Sequence, residues 1–120
     1  MTWVYYQSTG KMFHNNEYVD TGYSGALTNK NNSSRQQVKG LGPLPRGTYQ
    51  ITGYSTSKGP MTIILQQTSG EAFGRALFRI HGEKRPPATP GFASEGCIIL
   101  GPATRNRIWS SGDRSLEVQE

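Results

Sequence analysis

One hundred and twenty residues carrying a net charge of +5 make room for one domain, 1–120, and no second. Apolar residues are only 33%, while glycine (15) and proline (7) are abundant, which disfavours a helical bundle and favours short strands joined by turns. The basic residues are scattered from Lys11 to Arg114 with no dense run, which argues against nucleic acid as a partner, and the longest apolar stretch, Cys97–Leu100, is too short to insert into a membrane.

The N-terminus, from Met1 to Gln7, has no basic segment, long apolar core or cleavage site, so no secretory signal peptide is expected. A single cysteine, Cys97, excludes an intrachain disulfide framework. With only His14 and His81 beside it, the chain is short of ligands for structural zinc, and no cofactor is implied.

Thr2–Gln7 is rich in β-branched and aromatic residues and reads as a strand. Ser8-Thr9-Gly10 is a turn, and Lys11–His14 returns as the second arm of a hairpin, with His14 expected at the surface. Tyr18–Tyr23 reads as a third strand, and Thr28–Lys39, nearly devoid of apolar side chains, as an exposed loop. Gly40-Leu41-Gly42-Pro43-Leu44-Pro45-Arg46-Gly47 is a stiff turn segment in which proline fixes φ and glycine allows tight bends. Strands follow at Thr48–Tyr54, Pro60–Gln67 and Ala76–His81. A second surface loop, Gly82–Ala93, leads to a short buried strand at Gly96–Leu100. Pro102 opens a helix to about Ser110, where its missing N–H costs nothing. Ser115–Gln119 is the closing strand. The expected fold is a mainly antiparallel β-sandwich or barrel with one short helix near the C-terminus.

Alternate residues of a strand share a face, so Arg75, Leu77, Arg79 and His81 are expected to point one way while Phe78 and Ile80 enter the core. His81 ends its strand and Cys97 begins the next. An imidazole beside a thiol takes its proton and makes it a strong nucleophile. Gly96 lets the backbone approach closely, so the N–H groups of Gly96 and Cys97 are placed to face a developing oxyanion. The same residues fit a plainer reading, with Cys97 a small buried hydrophobe and His81 a surface residue. Spacing alone leaves both open.

The pattern is more specific than its spacing. His81-Gly82, a Pro/Gly-containing loop, then Ser94-Glu95-Gly96-Cys97-Ile98 resembles the signature of L,D-transpeptidases (YkuD-related), which ends in Ser/Thr-His-Gly-Cys. The segment from Gly42 to Ile51 is similar to that family's Thr-Pro-x-Gly-x-Phe run, which leads into a sheet strand. Together with the opening hairpin, Gly22-Tyr23-Ser24-Gly25, Gly74-Arg75 and Phe78-x-Ile80-His81-Gly82, the chain from about Trp3 to Val118 resembles the small L,D-transpeptidase-like effectors that type VI secretion systems inject into rival bacteria.

The resemblance implies a cysteine-dependent L,D-carboxypeptidase or L,D-transpeptidase acting on peptidoglycan stem peptides. Cys97 is then the nucleophile and His81 its base, with the Gly82 carbonyl orienting the imidazole. Ser94 supports the turn that presents Cys97. Arg79, or alternatively Arg75, pairs with a stem-peptide carboxylate, and Tyr23 and Ser24 line the groove. The resemblance further implies a monomeric antibacterial toxin made in the cytoplasm and carried by the secretion apparatus into the target periplasm. A periplasmic immunity protein is implied as well.

Two positions depart from the family pattern. Glu95 stands where the motif has His, and Ile99 stands where an Arg often follows the cysteine, a place Arg79 can fill from the neighbouring strand. A sortase-like transpeptidase also orders His before Cys, with Arg105 or Arg107 as its later arginine, but the Thr-Leu-x-Thr-Cys strand is absent. Papain-like and NlpC/P60-type peptidases place Cys first. The non-enzymatic alternative is a cell-wall-binding β-domain with an inert Cys97.

Overall fold

A computed structural model describes residues 2–25, 30–38, 42–56, 61–75, 78–82 and 96–120. Their strands are β1 (Trp3–Tyr6), β2 (Lys11–His14), β3 (Glu17–Thr21), β4 (Tyr23–Ser24), β5 (Gly47–Ser55), β6 (Thr62–Ser69), β7 (Arg79–His81), β8 (Ile98–Ile99) and β9 (Ser115–Gln119). One helix, α1 (Pro102–Ser110), separates β8 from β9. The protein is mainly β, as its composition implies.

The strands form one sheet in the order β3-β2-β1-β9-β5-β6-β7-β8-β4. The two outermost strands, β3 and β4, are consecutive in the chain and separated only by Gly22. The sheet therefore curls until its edges meet, giving a nearly closed barrel. Gly22 makes this corner: its N–H donates to the Gly10 carbonyl at 2.8 Å, and a Cβ there would overlap the Ile99 carbonyl. No side chain fits so close an approach.

The core follows from alternation along the strands. Trp3 and Tyr5 on β1, Tyr49 and Ile51 on β5, and Leu116 and Val118 on β9 all point inward and are buried. Ile80 and Ile98 join them from β7 and β8, and Ile108 seals the core from α1, whose first residue is Pro102.

Three features differ from the sequence expectation. The third strand starts earlier, at Glu17, because Asn15 and Asn16 both adopt positive φ (55° and 65°) and form a two-residue hairpin turn. Two strand pairs are parallel, β1 with β9 and β7 with β8. Parallel neighbours need a long crossover, and the chain from Gly82 to Cys97 supplies it for β7 and β8. Finally, His14 is only partly exposed, at 15% of its side chain. It pairs in register with Trp3, stacks on the indole at 3.9 Å, and its Nε2 meets Asp113 Oδ2 at 2.9 Å.

Candidate active site

β7 and β8 set the site by register. Ile80 pairs with Ile98 and His81 with Ile99, in parallel. On β8's other side Tyr23 pairs with Ile99 and Ser24 with Ile98. Two rows thus cross three adjacent strands. Ser24, Ile98 and Ile80 are each fully buried and face the core. Tyr23, Ile99 and His81 share the opposite face; Ile99 is buried but outside the main core cluster. Arg79 and Cys97 fall on that same face, each two positions from its row member and each partly exposed. His81 and Cys97 are therefore diagonal neighbours on adjacent strands. The sequence placed the pair on two adjacent strands, and the register now gives their common face.

His81 is oriented by its own neighbour. Its Nδ1 lies 3.0 Å from the Gly82 carbonyl oxygen. A carbonyl only accepts, so Nδ1 carries the proton and Nε2 is the acceptor nitrogen of the neutral ring. The His81 carbonyl in turn accepts from the Leu100 N–H at 3.1 Å, pinning the end of β7 beside the end of β8.

Behind the Cys97 side of the site sits the Gly42–Arg46 turn, held by polar side chains. Gln7 Nε2 donates to the Leu44 carbonyl at 2.8 Å and to Gln36 Oε1 at 3.1 Å. Gln36 Oε1 also accepts the Arg46 N–H at 2.9 Å, and Tyr49 Oη donates to the Pro45 carbonyl at 2.6 Å. Burial pushes the Tyr49 phenol well above its ordinary value, so it remains a donor. The stiffness of this Pro-rich segment was legible; its place behind Gly96 was not.

Ser24 and Arg75 are corrections to the expected groove. Ser24 is fully buried: its hydroxyl accepts the Leu44 N–H at 2.8 Å and donates to the Gly96 carbonyl at 3.4 Å. It faces the core because its register partner is Ile98 rather than Ile99. Arg75 precedes β7 and does not share the His81 face. Its guanidinium is buried and donates to the carbonyls of Gln36, Pro43 and Gly42. Neither side chain is available to a substrate. Tyr23 is partly exposed on the same face as Ile99 and His81, with Lys30 Nζ 4.5 Å from its ring centroid.

Arg105, named from the sequence only as a sortase-like arginine, instead packs against Gly82, the residue after His81. It is buried on α1 and donates weakly to the Gly101 and Met61 carbonyls at 3.4 Å each. Burial pulls its guanidinium below the ordinary arginine value. Ser94 and Glu95, together with most of the loop 82–93, lie outside the described residues. A concavity of about 400 Å³ lined by Val4, Tyr6, Phe13 and Asn15 lies on β1 and β2, with β9, β5 and β6 between it and β7.

A model of the Tlde1 domain matches residues 19–118. The chain belongs to the Tlde1 family. Tlde1 domains are type VI secretion effectors of the L,D-transpeptidase-like kind, so the family carries the coarse function: an enzyme-like effector directed at peptidoglycan. No curated protein matches the chain. The Tlde1 match begins within β3 and ends in β9, and so takes in every residue of the His81–Cys97 face and of the turn behind it. β1, outside the match, pairs with β9 inside it.

Proposed function

We propose that this chain, 1–120, is one catalytic domain that cuts or exchanges the terminal D-alanine of peptidoglycan tetrapeptide stems through a Cys97 acyl-enzyme. The observation that carries the reading is the register of β7 and β8, which sets the only cysteine of a Tlde1 chain diagonal to a histidine of fixed tautomer. His81 Nε2 takes the Cys97 proton. The thiolate adds to the carbonyl of the third stem residue, and the N–H groups of Gly96 and Cys97 take the oxyanion. Collapse breaks the C–N bond, His81 returns the proton to the leaving D-alanine amine, and a thioester remains. Water then releases a tripeptide carboxylate and the thiol. A D-amino acid attacking instead gives the exchanged tetrapeptide.

Arg79, on the same face, pairs with a stem-peptide carboxylate, and Tyr23 walls the groove beyond Ile99. Ser94 supports the turn before Cys97. The domain acts as a monomer in the periplasm of a target cell, delivered by the type VI apparatus and opposed in sibling cells by a periplasmic immunity protein.

The test is incubation of the parent and Cys97→Ala with disaccharide tetrapeptide, with and without D-methionine, read by mass spectrometry. Loss or replacement of D-alanine only with Cys97 present is the expected result. An unchanged substrate with the parent, on material that an active L,D-carboxypeptidase does cut, overturns the reading.

A further inference from the structure

Arg75 holds a positive charge where folding ordinarily disfavours one. Its residue is 8% exposed, and all three of its hydrogen bonds go to neutral carbonyls, of Gln36, Pro43 and Gly42. Its Cζ lies 5.9 Å from the centroid of the Phe78 ring. The ion pairs among the described residues are elsewhere, at His14–Asp113 and Arg46–Glu120. Carbonyl dipoles solvate a buried cation without neutralising it, so its field reaches the groups around it.

Among the described residues those groups are few. Burial pulls the guanidinium below the ordinary arginine value, and the ionised forms of Tyr49 and Cys97 act against that pull. Tyr49 is held in its neutral form by burial and donates to the Pro45 carbonyl. Among the described residues Cys97 is thus the anion this cation can favour at neutral pH.

The contact that couples them is at Gly96. A Cβ on Gly96 would overlap Arg75 Nη2, and Gly96 has φ +120°, a conformation that side chains rarely adopt. Gly96 is glycine because the guanidinium lies against its α-carbon, one residue before the thiol. The other described groups on the Cys97 face are His81, Arg79 and Tyr23, with Lys30 over the Tyr23 ring. His81 is neutral when it acts as base, and Arg79 is partly exposed and screened by water.

We propose that Arg75 is a positioning residue that acts through Gly96: its carbonyl-caged cation fixes the turn presenting Cys97 and stabilises the Cys97 thiolate from behind. The inference rests on the reading of Cys97 as the nucleophile, and extends it by naming the charge that makes the thiol reactive independently of His81.

The experiment is the pH dependence of Cys97 alkylation by iodoacetamide, which needs no stem peptide. It is run on the parent, Arg75→Gln and Arg75→Lys, each checked for folding by near-UV circular dichroism. Arg75→Gln is expected to raise the midpoint by about one pH unit, equivalent to about tenfold slower alkylation below it. Arg75→Lys, which keeps the charge, is expected to recover at least half of that shift. A folded Arg75→Gln with the parental midpoint overturns the proposal, as does an Arg75→Lys indistinguishable from Arg75→Gln.

If Arg75→Gln does not fold, the rates of anionic iodoacetate and neutral iodoacetamide are compared on Arg79→Gln, which lacks the partly exposed arginine. A preference for iodoacetate above that of free cysteine supports the buried cation, and none overturns it. An alkylation shift in a protein that leaves tetrapeptides untouched sinks the proposed substrate and leaves the Arg75 inference standing.

Discussion

The guanidinium of Arg105 lies against the α-carbon of Gly82, so close that a methyl group there would sit 2.7 Å from Nη2. The same glycine supplies the carbonyl that fixes the His81 tautomer. The proposed base, His81, is thus held by backbone that is itself backed by a buried cation from α1. Gly82→Ala forces Arg105 out of its place or tilts the peptide that holds the imidazole. Overpacking of this kind costs about 1–3 kcal/mol. The expected outcome is a lower urea midpoint together with a fall of about tenfold in D-alanine release, since a small misplacement of a catalytic group is felt strongly. Parental rates in a folded Gly82→Ala protein would show that this peptide does not hold His81.

Ser24→Ala removes the acceptor of the buried Leu44 N–H and the donor to the Gly96 carbonyl. An unsatisfied buried amide costs about 1–3 kcal/mol. Stability measured by urea should fall by that amount. Because Ser24 does not reach the site face, kcat should drop while KM for tetrapeptide holds. A selective rise in KM would instead return Ser24 to the groove wall.

The contrast between Ser24 and Tyr23 shows how far the sequence could be read. Both sit in a two-residue strand, where alternation has nothing to repeat against. Only pairing with Ile98 and Ile99 decides which one shares the face of His81 and Cys97. The longer strands carry their own signal: Trp3 and Tyr5 alternate with Val4 and Tyr6, and Tyr49 and Ile51 with Gln50 and Thr52. Pro102 likewise marked the start of α1. What stayed hidden is long-range. β9, the last strand, inserts between β1 and β5, which β2, β3 and β4 separate in the sequence. Arg75 looked like a strand arginine because it lies four residues before Arg79, but the carbonyls that cage it come from residues 36–43. The order His81 then Cys97 was visible, and their shared face needed only the β7–β8 register.

His14 tests the separation between fold and site. Its imidazole is stacked between strands on Trp3, at an interplanar angle of 8°, and bonded to Asp113. Asp113 Oδ1 also accepts the Ser115 N–H at the start of β9. His14→Ala removes a stacked aromatic contact and leaves a partly buried carboxylate without this partner, at a cost of about 1–3 kcal/mol. Thermal unfolding should move down accordingly. The site is built from β4, β7 and β8 and not from β2, so D-alanine release per folded molecule should be unchanged. A loss of turnover in folded His14→Ala would show that the hairpin communicates with Cys97.

Tyr5 gives the last prediction, because its burial costs stability in two pH ranges for different reasons. The hydroxyl is fully buried, and its Oη meets no hydrogen-bond partner among the described residues. Burial pushes the phenol well above its ordinary value, since the phenolate cannot be solvated there. Below about pH 10 both folded and unfolded chains keep the proton, and the buried unpaired hydroxyl is simply a cost. Tyr5→Phe should therefore match or exceed the parent at pH 7, by up to about 1 kcal/mol. Above about pH 10 the unfolded chain loses the Tyr5 proton and the folded chain keeps it, so stability falls as pH rises, by about 1.4 kcal/mol per pH unit for each such tyrosine. Tyr49, raised by burial as well, contributes a second such limb. Tyr5→Phe removes one of the two, and urea unfolding between about pH 10 and 11 should show a shallower decline than the parent. A Tyr5→Phe protein that is less stable at pH 7 and declines as steeply at high pH would mean that the hydroxyl is satisfied and the phenol titrates normally.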